Sequence, residues 1–308
     1  MREVRGSATL RRSTLLVAVV VALIAGAVVV TVIRVVGQQP AGSPRPSGIA
    51  GERALPLQQP PLVRLAVAGD TGTGDPPQLR TVAAMQSAQG RYTFDGVLLL
   101  GDMVYDVGDP ALVDDVVTDP FAPLVQGGAD LIPVLGNHDV ESGRQGEILR
   151  LLGETDSYYV QAIGILRIIV LDSNEVDDAQ TAWLRRVLSR PAQGVRWTIA
   201  AMHHPAYSAG EHGSDIEVRE AWTPLFEKFD VPLVLAGHDH DYQRSRQING
   251  VTYVVSGGGA KLRDTGSDDF TEVSESVLHF LDVAVYRDRI AVRAIDQQGN
   301  LVDRFVVN

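Results

Sequence analysis

Two histidines one residue apart, His238 and His240, follow the apolar run Leu233 to Ala236 in the order Gly237-His238-Asp239-His240. In an extended segment, side chains two apart point to one side, so both imidazoles could reach adjacent metals, or a metal and a substrate. A hydrogen-bonded structural pair is the plainer alternative. Four other apolar runs end in residues of the same chemical kind. Val63 to Ala68 ends in Gly69-Asp70, Val97 to Leu100 in Gly101-Asp102, Leu131 to Leu135 in Gly136-Asn137-His138-Asp139, and Arg196 to Ala201 in His203-His204-Pro205. One Gly-Asp pair signals little beyond a tight turn and a helix cap. The conjunction says more, because Asp70, Asp102, Asn137, His203, His238 and His240 all fall where a strand should stop.

The elements that must position these residues are strands reading as unbroken apolar runs, alternating with helices expected near Pro77 to Gln89, Ala179 to Ser189 and Val218 to Phe229. That alternation implies a buried parallel sheet, and a parallel sheet gathers ligands at the carboxyl ends of its strands. Leu166 to Leu171 is a further strand of this set. The runs Val251 to Val255, Val277 to Val285, Ile290 to Ile295 and Leu301 to Val307 look antiparallel, with a hairpin turn at Gln298-Gly299-Asn300.

The chain has 308 residues and a net charge of −11. That charge argues against non-specific binding to nucleic acid or to an anionic membrane surface. Without a single cysteine there is no disulfide framework and no thiolate metal site, so metal ligands must be oxygen and nitrogen donors. Ser13 to Ile33 is uncharged and apolar, about 30 Å long as a helix, the thickness of a bilayer's hydrocarbon core. Arg2, Arg5, Arg11 and Arg12 precede it and only Arg34 follows closely, which keeps the N-terminus cytoplasmic. The expected organisation is a cytoplasmic segment 1–12, a transmembrane anchor 13–36, a Pro/Gly/Ser-rich linker 37–61 and an extracytoplasmic catalytic domain 62–308, at the cell surface or in a periplasm-like space. A cleaved signal peptide is the competing reading; its apolar region is usually shorter.

In order, Gly69-Asp70, Gly101-Asp102-Met103-Val104-Tyr105, Gly136-Asn137-His138-Asp139, His203-His204-Pro205 and Gly237-His238-Asp239-His240 resemble the five-motif signature of calcineurin-like metallophosphoesterases, over about residues 62 to 262. The first motif of that superfamily is often Asp-x-His, but Asp70-Thr71-Gly72 puts glycine where the imidazole would be. Tyr105 supplies the replacement ligand in the purple acid phosphatase branch, whose second motif Gly101-Asp102-x-x-Tyr105 resembles.

The resemblance implies an α/β fold, a four-layer α/β/β/α sandwich of two mixed sheets. It implies one metal held by Asp70, Asp102, Tyr105 and His240, another by Asp102, Asn137, His203 and His238, and Asp102 as the bridge. A phenolate ligand at or below neutral pH calls for Fe(III) at the Tyr105 site, the second ion being Fe, Zn or Mn. An ordinary buried aromatic is the alternative for Tyr105. Ser208-Ala209-Gly210-Glu211-His212-Gly213 resembles a loop of the small, tartrate-resistant type, in which a histidine faces the substrate. His138 and His212 would then be the groups acting on substrate, although His212 could equally be a solvated histidine. His204, next to a ligand on a strand, should turn away from the metals.

Phosphate-ester hydrolysis needs an in-line nucleophile and relief of negative charge, which two close cations provide while acidifying a bound water. The expected activity is hydrolysis of small phosphate monoesters by metal-hydroxide attack on phosphorus. A phosphodiesterase on the same ligands, or an idle membrane-tethered binding module, are the alternatives, and no protein partner can be inferred. The acidic run Asp106, Asp109, Asp114, Asp115 and Asp119 reads as a solvated loop. Lys261 and Arg263, after Gly257-Gly258-Gly259, could reach a substrate phosphate.

Overall fold

The structure, a computed structural model, describes residues 51–308, so the expected anchor at 13–36 lies outside the described residues. Among the described residues no helix is long and apolar enough to cross a membrane. In chain order the strands are β1 (Val63–Ala68), β2 (Gly96–Leu99), β3 (Asp130–Pro133), β4 (Tyr159–Ile163), β5 (Leu166–Val170), β6 (Trp197–Ala201) and β7 (Leu233–Ala236). They continue with β8 (Tyr242–Ser245), β9 (Thr252–Ser256), β10 (Thr271–Glu275), β11 (His279–Val285), β12 (Ile290–Asp296) and β13 (Leu301–Val307). One sheet has the order β13-β12-β11-β1-β2-β3, the other β10-β8-β9-β7-β6-β5-β4. Both are mixed. Strands β1, β2 and β3 run parallel, as do β5, β6, β7 and β9, while the remaining pairings are antiparallel.

Period-two alternation explains why these strands are apolar throughout. Leu65 and Val67 of β1 face Ile168, Ile199 and Leu235 of the other sheet in a shared core. Their neighbours Ala66 and Ala68 pack outward against Val82 and Met85 of the helix Pro76–Gln89 and Phe121 of the helix Asp119–Gln126. On the far side Ile169, Ala200 and Val234 meet Leu184 of Asp178–Leu188 and Trp222 of Ile216–Lys228. The central strands thus bury two faces and the layers run helix, sheet, sheet, helix.

Three features depart from expectation. Strand β9 is parallel to β7 although the intervening β8 is antiparallel to it, so the parallel part of the second sheet extends past the fifth motif. The acidic run folds as a 3₁₀ turn Pro110–Leu112, a π turn Asp114–Thr118 and the helix Asp119–Gln126, because Val113, Val117, Phe121 and Leu124 supply a buried face between its charges. The stretch read as linker up to residue 61 joins the domain earlier: Gly51 and Ala54 donate backbone hydrogen bonds to Leu301 and Gly299, and Arg53 pairs with Asn300.

His279 supports the floor of the rim where the motifs gather. It is fully buried in β11, its Nδ1–H donating to the Val277 carbonyl at 2.9 Å and its Nε2 lying 2.9 Å from Ser256 Oγ. Ser256 and Gly258 in turn bond Gly69 and His279 through the backbone. Burial, partly offset by the Val277 bond, lowers the His279 pKa from 6.5 to about 4. A depressed pKa contributes stability that is complete above about pH 6.5 and is lost as pH falls towards 4, by at most ~3 kcal/mol. Thermal unfolding of His279→Gln, which cannot take up that proton, should lose less midpoint temperature between pH 7 and 5 than the unsubstituted protein. An equal loss removes His279 as the cause.

Candidate metal centre

The first sheet delivers Asp70, Asp102 and Asn137 just past the ends of β1, β2 and β3, and the second delivers His203, His238 and His240 past β6 and β7. All parallel strands end at one rim. The turns there are tight: Asp70, Asp102 and His238 take φ of 57°, 52° and 73°, a left-handed backbone that costs energy without glycine and recurs at functional sites. Gly101, at φ 88°, cannot be replaced, since a Cβ there would lie 2.4 Å from His203 Nδ1.

The side chains form two sets that share Asp102. Around the phenol, Tyr105 O–H donates to Asp102 Oδ2 at 2.9 Å and lies 3.2 Å from Asp70 Oδ1 and 3.3 Å from His240 Nε2. The other Asp102 oxygen, Oδ1, is 3.5 Å from His203 Nε2. That nitrogen is 3.0 Å from Asn137 Oδ1 and 3.2 Å from His238 Nδ1, and Asn137 Oδ1 is 3.1 Å from His238 Nδ1. His203 Nδ1–H is committed to the Leu100 carbonyl at 2.8 Å, so Nε2 presents a lone pair. At most one hydrogen, on His238 Nδ1, serves the second set, and the Tyr105 hydroxyl brings one to three acceptors in the first. Lone pairs outnumber protons in both, a donor chemistry that fits two cations.

The electrostatics agree. Burial, with Asp102 adding to it against His203, raises the Asp70 pKa to about 8. Burial also opposes the Asp102 charge, but His203 and the His138 N–H more than offset it and hold that carboxyl below its ordinary range. Burial and the surrounding imidazoles lower His238 to about 2, and burial with Arg263 and Lys261 lowers His240 to about 4. Neutral imidazoles beside carboxylates are metal ligands in waiting.

All seven ligands expected from the sequence are therefore gathered at one place. His138 donates its backbone N–H to Asp102 Oδ1 at 3.0 Å, bonds the Asp106 carbonyl through Nδ1, and sets its ring 4.6 Å from Tyr105. His212 sets its ring 4.4 Å from that of His238, in the other set. His204 corrects an expectation: its ring lies 4.5 Å from His238, and it joins His203 and His238 in a cluster able to hold a metal. The strand ends at Ala201, so strand alternation no longer governs His203 and His204.

Supporting residues went unread. The buried Asp139 carboxylate accepts from the N–H groups of Met103, Val104 and Gly136, lashing the second motif to the third. Ser173 Oγ accepts from the N–H groups of His203 and His204. Asp139 stood in plain view beside His138, but nothing in sequence tells a lashing carboxylate from a ligand. Lys261, left open in sequence, sets its ammonium 3.3 Å from the centre of the Tyr105 ring.

The sequence matches the Calcineurin-like phosphoesterase family over residues 63–242. It is 24% identical over 282 residues to purple acid phosphatase 3 of Arabidopsis thaliana, covering 78% of this chain and 76% of that protein. Over 106 residues it is 38% identical to tartrate-resistant acid phosphatase type 5 of Oryctolagus cuniculus, covering 34% and 32% of the two chains. The purple acid phosphatase from yellow lupin superposes with a TM-score of 0.70 at 19% identity, over 82% of this chain and 55% of that one.

Gly72, where the wider superfamily often has histidine, has a steric reason. A Cβ there would lie 2.0 Å from the Met103 carbonyl carbon and oxygen and 2.5 Å from Val104 N. Gly72 N–H bonds the Asp102 carbonyl and the Gly72 carbonyl accepts from Tyr105 N–H. The bare backbone at 72 thus lays down the segment that carries Tyr105 to the centre. Gly72→Ala should displace that segment and cut turnover on the order of 10²-fold, with loss of bound metal measured by elemental analysis. Full metal content and unchanged turnover would overturn the coupling.

Proposed function

This chain belongs to the calcineurin-like phosphoesterase family and, as a metal-dependent phosphoric ester hydrolase of the purple acid phosphatase type, we propose that it cleaves phosphate monoesters at a dinuclear centre bridged by Asp102. The observation that carries this reading is the Asp102 carboxylate, with one oxygen in each of two lone-pair-rich sets.

Asp70, Asp102, Tyr105 and His240 would hold one ion, and Asp102, Asn137, His203 and His238 the other. When bound, two cations would withdraw charge from the phosphoryl oxygens and acidify water. Burial, with the charges of Asp70 and Asp102, raises the Tyr105 pKa above that of an ordinary phenol. Phenolate ligation therefore needs a strong Lewis acid, which supports Fe(III) at this position and Fe, Zn or Mn at the other. His138 lies against Tyr105 of one set and His212 against His238 of the other. With Nδ1 bound to the Asp106 carbonyl, His138 keeps Nε2 for the substrate. Either histidine can steady the transferring phosphoryl group or hand a proton to the leaving alkoxide. The Lys261 ammonium adds positive charge beside Tyr105, favouring a dianionic monoester. The uncharged run after Arg12 supports placing this domain outside the cytoplasm on a membrane anchor at 13–36, with the linker ending before Gly51, where the chain joins the domain.

The purified full chain should carry two metals and absorb in the visible through phenolate-to-Fe(III) charge transfer, and Tyr105→Phe should lose that band. An active enzyme with no such band defeats the iron assignment. Asp102→Asn should abolish turnover of both a monoester and a diester, whereas retained activity would mean a different bridge. A diester rate above the monoester rate in the unsubstituted enzyme would reverse the substrate preference. On fractionation the full-length chain should stay with membranes through a high-salt wash and need detergent for release. A shortened, soluble product would establish signal cleavage instead.

A further inference from the structure

The residue between the two histidines of the fifth motif, Asp239, is buried, and its carboxylate bonds the loop that carries His212. Its Oδ1 accepts the His212 backbone N–H at 2.8 Å and its Oδ2 accepts from Ser208 Oγ. Ser208 Oγ accepts in turn from Gly210 N at 3.0 Å and from Gln243 Nε2 at 2.8 Å, and Gln243 Oε1 accepts from Ala209 N at 2.8 Å. The loop is pressed so close that a Cβ on Gly210 would lie 2.5 Å from the Asp239 carboxyl carbon. Among the described residues the His212 ring makes no hydrogen bond of its own. Its place, 4.4 Å from the His238 ring and tilted by 32°, follows from how its backbone is held. The loop is also tied by a β-bridge between Gly210 and Thr265 and by Ser214 Oγ, which bonds the Ser208 N–H and carbonyl, but neither reaches His212. The pair of Glu211 with Arg263 at 2.7 Å is exposed, and exposed pairs contribute little. Charge-assisted bonds to a buried carboxylate are the stronger kind.

We propose that Asp239 is a positioning residue: its carboxylate clamps residues 208–212 and so fixes the His212 imidazole over the metal-facing histidine His238. The inference rests on the reading of His212 as a group that faces the substrate. It makes the fifth motif serve two purposes. His238 and His240 belong to the metal-facing sets, while the intervening side chain bonds the 208–212 loop and sets the distance and tilt of the histidine it carries.

The test is a double-mutant cycle in the full-length enzyme, with an alkyl phosphate monoester whose poor leaving group depends on proton donation. His212→Ala should lower kcat on the order of 10²-fold and Asp239→Ala roughly tenfold, each with its metal content unchanged. In the His212→Ala background, Asp239→Ala should cost less than about twofold, because its effect passes through His212. Asp239→Asn, which keeps an acceptor for the His212 N–H, should recover most of the activity. Hydrogen exchange at the His212 amide supplies a readout independent of catalysis and should lose its protection in Asp239→Ala. Retained protection overturns the clamp. Lost protection with effects that multiply in the cycle overturns its action through His212. A silent His212→Ala sinks the substrate-facing role of His212, and the inference with it, while the exchange data still report the clamp separately.

Discussion

The structure depends on one buried carboxylate that two sheets must reach at once. Asp102 is 2% exposed and stands where β2 of the first sheet ends, yet one of its oxygens belongs with the second sheet's His203. Bringing lone pairs to 3.0–3.5 Å across a sheet-to-sheet boundary is repulsive until a cation sits between them. The shared core of Leu65, Val67, Ile168, Ile199 and Leu235 opposes that repulsion by burying the two inner faces. Hydrophobic packing thus holds charged groups in an arrangement that they would not adopt by themselves, and a dinuclear site has to be built this way before its metals arrive.

Holding the ligands still is the work of side chains that need not touch metal or substrate. Asp139 gathers three backbone N–H groups from the second and third motifs, Ser173 gathers those of His203 and His204, and Asp239 gathers the loop that carries His212. Each is an acceptor placed under backbone donors that a tight turn would otherwise leave unsatisfied in a buried place. Each connects two loops that are distant in sequence, so the rim behaves as a mesh and not as five independent turns. Left-handed backbone at Asp70, Asp102 and His238 persists because that mesh over-determines it.

The gathering of Asp70, Asp102, Asn137, His203, His238 and His240 at one rim was legible in the sequence because its signal is local: each sits just after an apolar run, and the runs report strands buried on both faces. The runs alone imply a buried parallel sheet; the four-layer order with two sheets came only with the family resemblance. The edge strands β4 and β10 were not legible, because Tyr159–Ile163 and Thr271–Glu275 mix exposed and buried residues and carry no continuous apolar run. The helical course of 110–126 was hidden by its aspartates, which stay on the solvent side of a turn whose buried side is apolar. His204 was misplaced because alternation was carried two residues past the end of β6. The roles of Asp139, Ser173 and Asp239 depend on which loop lies opposite, a long-range fact that no spacing encodes.

The exchange at position 72 shows how composition at one point constrains chemistry at another. With no side chain at 72, the backbone of Met103 and Val104 closes onto it, and that closure swings the following tyrosine inward until its hydroxyl lies among Asp70, Asp102 and His240. A histidine at 72 would have to occupy the volume that this backbone fills, so an imidazole from the first motif and a phenol from the second are sterically exclusive. The choice then propagates to the electronics of the site, since a phenol buried between two carboxylates releases its proton only to a strongly polarising ion. The presence of a phenol in this set is therefore fixed at the backbone, by a contact between two loops.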